Sequence, residues 1–136
     1  ASLLRTGLEF WHDQCDVVLV EGAGGLLSPI SPQDLVADLV ADLGYPLLVV
    51  SPNILGSINQ TLQTVFTASH YRGGLPCVGV VLNDCRMSGD GDVSRAGNAK
   101  EIERLCPVPL LARVPYGGTS FDRQVDWQSL TLPAKS

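Results

Sequence analysis

The stretch Val17-Val18-Leu19-Val20-Glu21-Gly22-Ala23-Gly24-Gly25 sets a carboxylate directly after an apolar run and directly before a glycine-rich turn. A carboxylate at the end of a buried strand is a hard oxygen ligand suited to Mg²⁺, which takes one or two carboxylates and completes its shell with phosphates. Gly22, Gly24 and Gly25 carry no side chains, so their N–H groups can approach an anion closely. Three further stretches have comparable chemistry. Asn83-Asp84 follows a second apolar run, and an amide offers the donor and acceptor that the edge of a purine requires. Gly56-Ser57-Ile58-Asn59 opens a helix whose first N–H groups can receive a carboxylate or phosphate. Pro115-Tyr116-Gly117-Gly118 is a turn that can lay a ring or bare backbone against a flat ligand. Each also has a plain structural reading: a solvated acid, a turn-forming Asn, a helix capped by Ser57 or Asn59, an ordinary turn.

These residues need a scaffold that brings them to one place, and the hydrophobic pattern supplies one. Leu3, Leu4, Gly7, Leu8 and Trp11 recur at helical spacing within Ser2 to Trp11, as in the last turns of a helix. Continuous apolar runs at Asp16 to Val20, Pro46 to Val50, Cys77 to Leu82 and Pro109 to Val114 predict four strands buried on both faces. Between them, Ser31-Pro32-Gln33-Asp34 reads as a helix start. Leu35, Val36, Leu39, Val40 and Leu43 form its buried stripe, Asp38 and Asp42 its solvated face, and Gly44 its stop. Ile58, Leu62, Val65 and Phe66 make the apolar face of a second helix, closed by Gly73-Gly74. Ala96, Ala99, Ile102 and Leu105 make that of a third, within Ser94 to Leu105. Arg86 to Asp92 is a polar loop. Phe121, Val125 and Trp127 add one more turn, and Leu130 to Ser136 is a loose tail.

Strand alternating with helix predicts an α/β fold, a parallel sheet with helices on both faces and right-handed crossovers. Ligands then bind outside the carboxyl ends of the strands. Glu21 to Gly25, Ser51 to Asn59, Asn83-Asp84 and Pro115 to Gly117 all follow strands, so this topology gathers them on one edge.

The chain has 136 residues, the size of one domain, 45% of them hydrophobic. Its charge of −5 and its two lysines, Lys100 and Lys135, argue against a nucleic-acid surface. No apolar run has the roughly 18 residues of a membrane span, and no basic-then-apolar leader is read. Cys15, Cys77, Cys85 and Cys106 have no C-x-x-C spacing and are expected to be buried reduced thiols in a cytoplasmic protein.

Taken together, Val-Glu-Gly-Ala-Gly-Gly at 20–25, Leu-Gly-Ser-Ile-Asn-Gln-Thr-Leu at 55–62, Gly-Leu-Pro-Cys-Val-Gly-Val-Val-Leu-Asn at 74–83 and Val-Pro-Tyr at 114–116 resemble the dethiobiotin synthetases in order and spacing. The resemblance covers roughly Asp16 to Tyr116. It implies a P-loop NTPase-like fold and an ATP-dependent ligase of biotin biosynthesis that converts 7,8-diaminopelargonate, CO₂ and ATP to dethiobiotin. Under it, Glu21 would hold the Mg²⁺ that bridges ATP phosphates, and Gly22, Ala23 and Gly24 would border the phosphate and diamine pocket. Asn83 would read adenine with Asp84 beside it. Pro115, Tyr116 and Gly117 would line the adenine site, and Asp122 would add a nucleotide contact. Gly56, Ser57, Ile58 and Asn59 would receive the substrate carboxylate, in that family at a neighbouring subunit's site, so a homodimer is implied.

These residues depart from the family in what they lack. They contain no G-x-x-x-x-G-K-[ST], and neither lysine follows a glycine. The family's catalytic lysine segment, early Mg²⁺-binding acid and substrate-binding serine are likewise missing. The chain is therefore expected to be a single domain, 1–136, like the C-terminal part of a synthetase, with 119–136 loosely packed and little activity alone. Two alternatives stay open: a cobyrinate-amidating relative, and a non-catalytic module that binds nucleotide or dimerises.

Overall fold

A computed structural model of the chain describes residues 2–12, 14–87 and 91–131. Helix α1 spans Ser2–His12 and α2 Val36–Leu43. Strand β1, Leu47–Pro52, leads to α3, Ser57–His70. Strand β2, Cys77–Asn83, leads to α4, Arg95–Leu105, and then to β3, Leu110–Val114. Short 3₁₀ turns lie at Tyr71–Gly73 and Gln128–Leu130. The strands form a parallel sheet in the order β1-β2-β3.

Alternation along the strands decides which residues meet the helices. Val49, Val80, Leu82 and Leu110 point to one face, where Val65 of α3 and Ile102 of α4 close over them. On the other face Val50 is 61% exposed. A second cluster joins Ala37 of α2 to Ala68 at the end of α3, with Leu26 and Leu75. The register is offset at Gly79, where Leu47 pairs with Cys77 but Leu48 with Gly79. A Cβ on Gly79 would lie 2.6 Å from Leu111 Cγ and 2.9 Å from the Pro109 carbonyl, so glycine lets β2 and β3 approach there.

Three of the four expected strands form. The run at Asp16 to Val20 does not: it has no ladder assignment, Val17 is 57% exposed and Leu19 89%. A run apolar on both sides becomes a strand only when neighbours take up its backbone groups. Among the described residues none does.

The helix boundaries shift for similarly local reasons. Ser31 Oγ accepts from the Asp34 and Gln33 N–H groups and donates to Asp34 Oδ2 at 2.7 Å, but this box closes a turn rather than the helix. The helix begins one step later, where Asp38 Oδ2 accepts the Leu35 N–H at 2.7 Å. Asp38 is therefore not on a solvated face. It is 6% exposed, accepts from Tyr71 Oη at 2.8 Å and pairs with Arg72. Gly44 ends α2 in the left-handed region at φ 64°, as expected.

The buried faces of the later helices are more polar than their apolar periodicity suggests. In α3, Ser57 and Thr61 point inward while Phe66 is 65% exposed, and Thr61 Oγ1 donates to buried Ser51 Oγ at 2.8 Å. In α4, Arg95 and Asn98 are buried with Ile102, while Ala96 and Leu105 are exposed. Cys77 and Cys106 are half-buried. Cys15 and Cys85 are exposed because they lie outside the regular elements, and all four thiols are free. Phe121 and Trp127 stack at 4.7 Å beside the final 3₁₀ turn. Residues 132–136 of the expected tail and 88–90 of the loop lie outside the described residues.

Gly79→Ala should lower stability by about 1–3 kcal/mol, measured as a shift in the urea midpoint. An unchanged midpoint would mean that Leu111 and Pro109 yield freely.

Candidate functional site

The sheet register assembles the site. Pro52 pairs with Asn83 and Asn83 with Val114, so all three strands end at one level. The residues that follow them, Asn53, Asp84 and Pro115, therefore share a rim. Asn53 N–H donates to the Asn83 carbonyl at 2.7 Å, and Asp84 N–H to the Val114 carbonyl at 2.9 Å. The Asn83 peptide is thus held on both sides. Its carboxamide is half-exposed and, among the described residues, takes no hydrogen bond.

Beside it, Pro115–Gly118 forms a turn closed by Gly118 N–H to the Pro115 carbonyl at 2.9 Å, with Gly117 at φ 65°. Tyr116 is 55% exposed at its tip. Asp122 is joined to this strand end twice: its Oδ1 accepts the Arg113 N–H at 2.7 Å, and its own N–H donates to the Arg113 carbonyl at 2.9 Å. Asn83, Pro115, Tyr116, Gly117 and Asp122 are therefore brought to one end of the sheet.

Asp84 is in the same place but is not open to a ligand. Its side chain is 7% exposed. Oδ1 accepts from Asn53 Nδ2 at 2.6 Å, and Oδ2 accepts from Arg113 Nε at 2.9 Å and pairs with Arg113 Nη2 at 2.6 Å. Arg95 Nη2 lies 3.8 Å away. Burial alone would raise the Asp84 pKa. Hydrogen bonds from Arg113 and Asn53 and the two guanidinium charges outweigh it and hold the carboxyl below its usual range.

The helix start expected to receive an anion lies just beyond β1. Gly56 caps α3 at φ 93° with no side-chain cap, so neither Ser57 nor Asn59 closes it. Asn59 is exposed and Ile58 packs against the core. Ser57 is fully buried, and its hydroxyl has no hydrogen-bond partner among the described residues. Just ahead, Leu55 N–H donates to Asp92 Oδ2 at 2.8 Å. Asp92 also accepts from the Ser94 hydroxyl; that bond, with the Leu55 and Ser94 N–H groups and the Arg95 charge, lowers its pKa against a smaller opposing effect of burial.

The glycine turn is organised differently. Gly24, at φ 82°, leaves no room for a side chain: a Cβ would come 2.5 Å from Ser28 Oγ. Gly25 N–H donates to that same hydroxyl at 2.8 Å, so one of its N–H groups is already used. Gly22 packs against Val36 of α2, with room for no Cβ. Glu21, Gly22, Ala23 and Gly24 are all exposed. Among the described residues no hydrogen bond or ion pair joins Glu21 to the rim at Asn83 and Tyr116, or groups three or more metal-ligating side chains.

The sequence reading missed three residues, Arg95, Asn98 and Arg113, and gave Asn53 only as part of the turn after the strand. Asn98 Nδ2 donates to Asn53 Oδ1 at 2.9 Å and to the Ile54 carbonyl at 3.1 Å. Arg95 donates to the Arg86 and Met87 carbonyls, each at 2.7 Å. With Asp84 they form one polar cluster behind the rim, buried except at Arg113, whose side chain is 37% exposed. No local pattern announces it, because the partners of Asp84 lie on other elements.

A family model described as an AAA domain matches residues 7–121 of this chain. The chain belongs to the dethiobiotin synthetase family. A relative from Rhodopirellula baltica, an ATP-dependent dethiobiotin synthetase BioD, is 38% identical over 121 residues, covering 82% of this chain and 46% of the relative. A protein of that name from Anaeromyxobacter dehalogenans is 46% identical over 99 residues, covering 73% and 43%. A Salmonella typhimurium protein, BioD 1, is 35% identical over 133 residues, covering 97% and 56%. The chain thus spans about half the length of the synthetases it matches.

The Asp84 cluster gives a signed pH dependence. Its folded pKa lies below the unfolded value of about 3.9, so its stabilisation is complete above pH 4 and disappears as pH falls through the folded value. Asp84→Asn should therefore cost about 3–5 kcal/mol at pH 7, the scale of a broken buried pair. The difference from the native chain should shrink steadily in acid. Urea melts at pH 7 and below pH 4 check this; a pH-independent difference would mean that Asp84 is not held charged.

Proposed function

We propose that this chain is the base- and carboxylate-binding part of an ATP-dependent dethiobiotin synthetase, a ligase of biotin synthesis acting on 7,8-diaminopelargonate, CO₂ and ATP. The observation that carries the reading is the alignment of Pro52, Asn83 and Val114 at one level of the sheet. It opens a free carboxamide, an exposed Tyr116 turn and an uncapped helix start on the same edge.

In this reading Asn83 presents its amide to the adenine edge, and Pro115, Tyr116 and Gly117 flank the base. Asp122 steadies that turn through Arg113. The Ser57 N–H turns back to the Ile54 carbonyl, which leaves the N–H groups of Ile58 and Asn59 open; with the buried Ser57 hydroxyl, which has no partner among the described residues, they make the anion site for the substrate carboxylate next to Gly56. Gly22, Ala23 and Gly24 border the phosphates.

Glu21 would hold Mg²⁺. Its exposed carboxylate fits as a single hard ligand, since phosphate oxygens and water complete the shell of this cation. When bound, the cation neutralises charge on the phosphates during transfer. Phosphoryl transfer also needs a lysine-bearing phosphate loop, which these 136 residues lack, so we assign this chain binding and orientation rather than the whole reaction. A homodimer that shares the α3 end between subunits, and a cytoplasmic location, belong to the same reading.

Titration of the chain with Mg-ATP and diaminopelargonate tests it. Glu21→Gln should remove the Mg²⁺ dependence of ATP binding, and Asn83→Ala should weaken ATP by about 1–2 kcal/mol. Ser57→Ala is the sharper test. Removing an unpaired buried hydroxyl should leave stability unchanged or raised, while diaminopelargonate binds more weakly by about 1.5–3 kcal/mol, the scale of a hydrogen bond to a charged group. Undiminished diaminopelargonate binding would remove Ser57 from the site.

A further inference from the structure

The geometry points to Asp84 as a positioning residue for Asn83: its carboxylate, clamped by Asn53, Arg113 and Arg95, fixes the base-reading amide from behind rather than touching nucleotide. This rests on the reading of Asn83 as the adenine contact.

A side chain that discriminates between bases must be held to within about 0.5 Å, yet among the described residues the Asn83 carboxamide has no partner of its own to hold it. What is held is the backbone on either side. The Asn53 N–H reaches the Asn83 carbonyl at 2.7 Å, and the Asp84 N–H reaches the Val114 carbonyl at 2.9 Å. Both donors belong to residues whose side chains meet: Asn53 Nδ2 donates to Asp84 Oδ1 at 2.6 Å. The pair is braced from two directions. Asn98 of α4 donates to Asn53 Oδ1. Arg113 of β3, whose neighbours form the Pro115–Gly118 turn, takes the other Asp84 oxygen through two nitrogens. With both carboxylate oxygens bonded and the Asn53 amide held at its oxygen and its nitrogen, the network favours one arrangement, although Arg95 Nε is left without a hydrogen bond among the described residues.

The clamp therefore ties the amide that reads the base to the turn that flanks it. With 7% of its side chain exposed and both oxygens bonded to the protein, Asp84 is turned into the protein rather than toward a nucleotide. Loosening the clamp should cost base selectivity rather than phosphate binding.

The experiment compares dissociation constants of Mg-ATP and Mg-GTP for the ¹⁵N-labelled chain, followed by amide shifts, alongside melting temperatures. The native chain should prefer ATP by at least about fivefold, the low end for a paired amide–base contact. Asn83→Ala should bring the ratio to about one. Asp84→Asn should do the same, and so should Arg113→Gln, which retains Asn53 and Arg95 around Asp84 and remains readable where Asp84→Asn unfolds. Val65→Ala, in the core away from the rim, should lower the melting temperature and keep the ratio. If Asn83→Ala loses the preference while Asp84→Asn and Arg113→Gln keep it, the clamp is overturned and the adenine contact stands. If Val65→Ala loses it equally, the effect is general destabilisation and the clamp is again overturned. If the native chain shows no preference or no binding, or Asn83→Ala keeps the preference, the adenine reading itself falls and the clamp with it.

Discussion

A buried negative charge at the carboxyl end of the central strand is the constraint on which this edge of the molecule depends. Asp84 can be desolvated only because Arg113, Arg95 and Asn53 surround it, and each arrives from a different element. Those partners place β3, α4 and the β1–α3 turn relative to one another. Remove the carboxylate and two guanidinium groups crowd together; remove a partner and a buried charge is left without compensation. The rim is therefore specified by electrostatics where the apolar core no longer reaches.

The core and the cluster divide the work along the strands. Val49, Val80, Leu82 and Leu110 set the spacing between the sheet and its two helices through packing, which is not directional. The cluster sets orientation at the tips, where hydrogen bonds are directional and their partners few. A parallel sheet makes this possible because all its strands finish on the same side, so polar residues after each strand meet without any long-range signal in the sequence.

That contrast explains what could be read in advance. The three strands within the sheet and their helices were legible because apolar runs and periodicity are local properties. Asn83, the last residue of β2, and Pro115, Tyr116 and Gly117, which follow β3, were legible as rim residues because they stand where apolar runs end. The strand expected at Asp16 to Val20 was not formed, since a run's own composition says nothing of whether its backbone finds partners. Asp38 read as solvated because it sits in a helix with other acids, yet Tyr71 and Arg72 lie more than thirty positions away and turn it inward. Arg95 and Asn98 break the apolar face of α4 for the same reason: Asn98 finds its partners at 53 and 54, and Arg95 pairs with Asp84 as well as with the carbonyls of the preceding loop at 86 and 87.

Holding a recognition group steady and leaving it free to recognise are opposed demands, and this rim meets them with different atoms of adjacent residues. The backbone around Asn83 is bonded on both sides while its carboxamide remains open. Asp84, one residue on, is the reverse, with its carboxylate buried and both oxygens bonded to the protein. Alternation along the chain sends neighbouring side chains to opposite sides, so one residue faces the ligand edge and the next faces the brace. The same separation recurs at the start of α3, where Asn98 grips the Ile54 carbonyl, Asp92 the Leu55 N–H and the Ser57 N–H turns back to Ile54, while the N–H groups of Ile58 and Asn59 stay uncapped. Binding capacity at this edge thus arises from what the surrounding network leaves unbonded, and the bonds it does make determine where those unbonded groups stand.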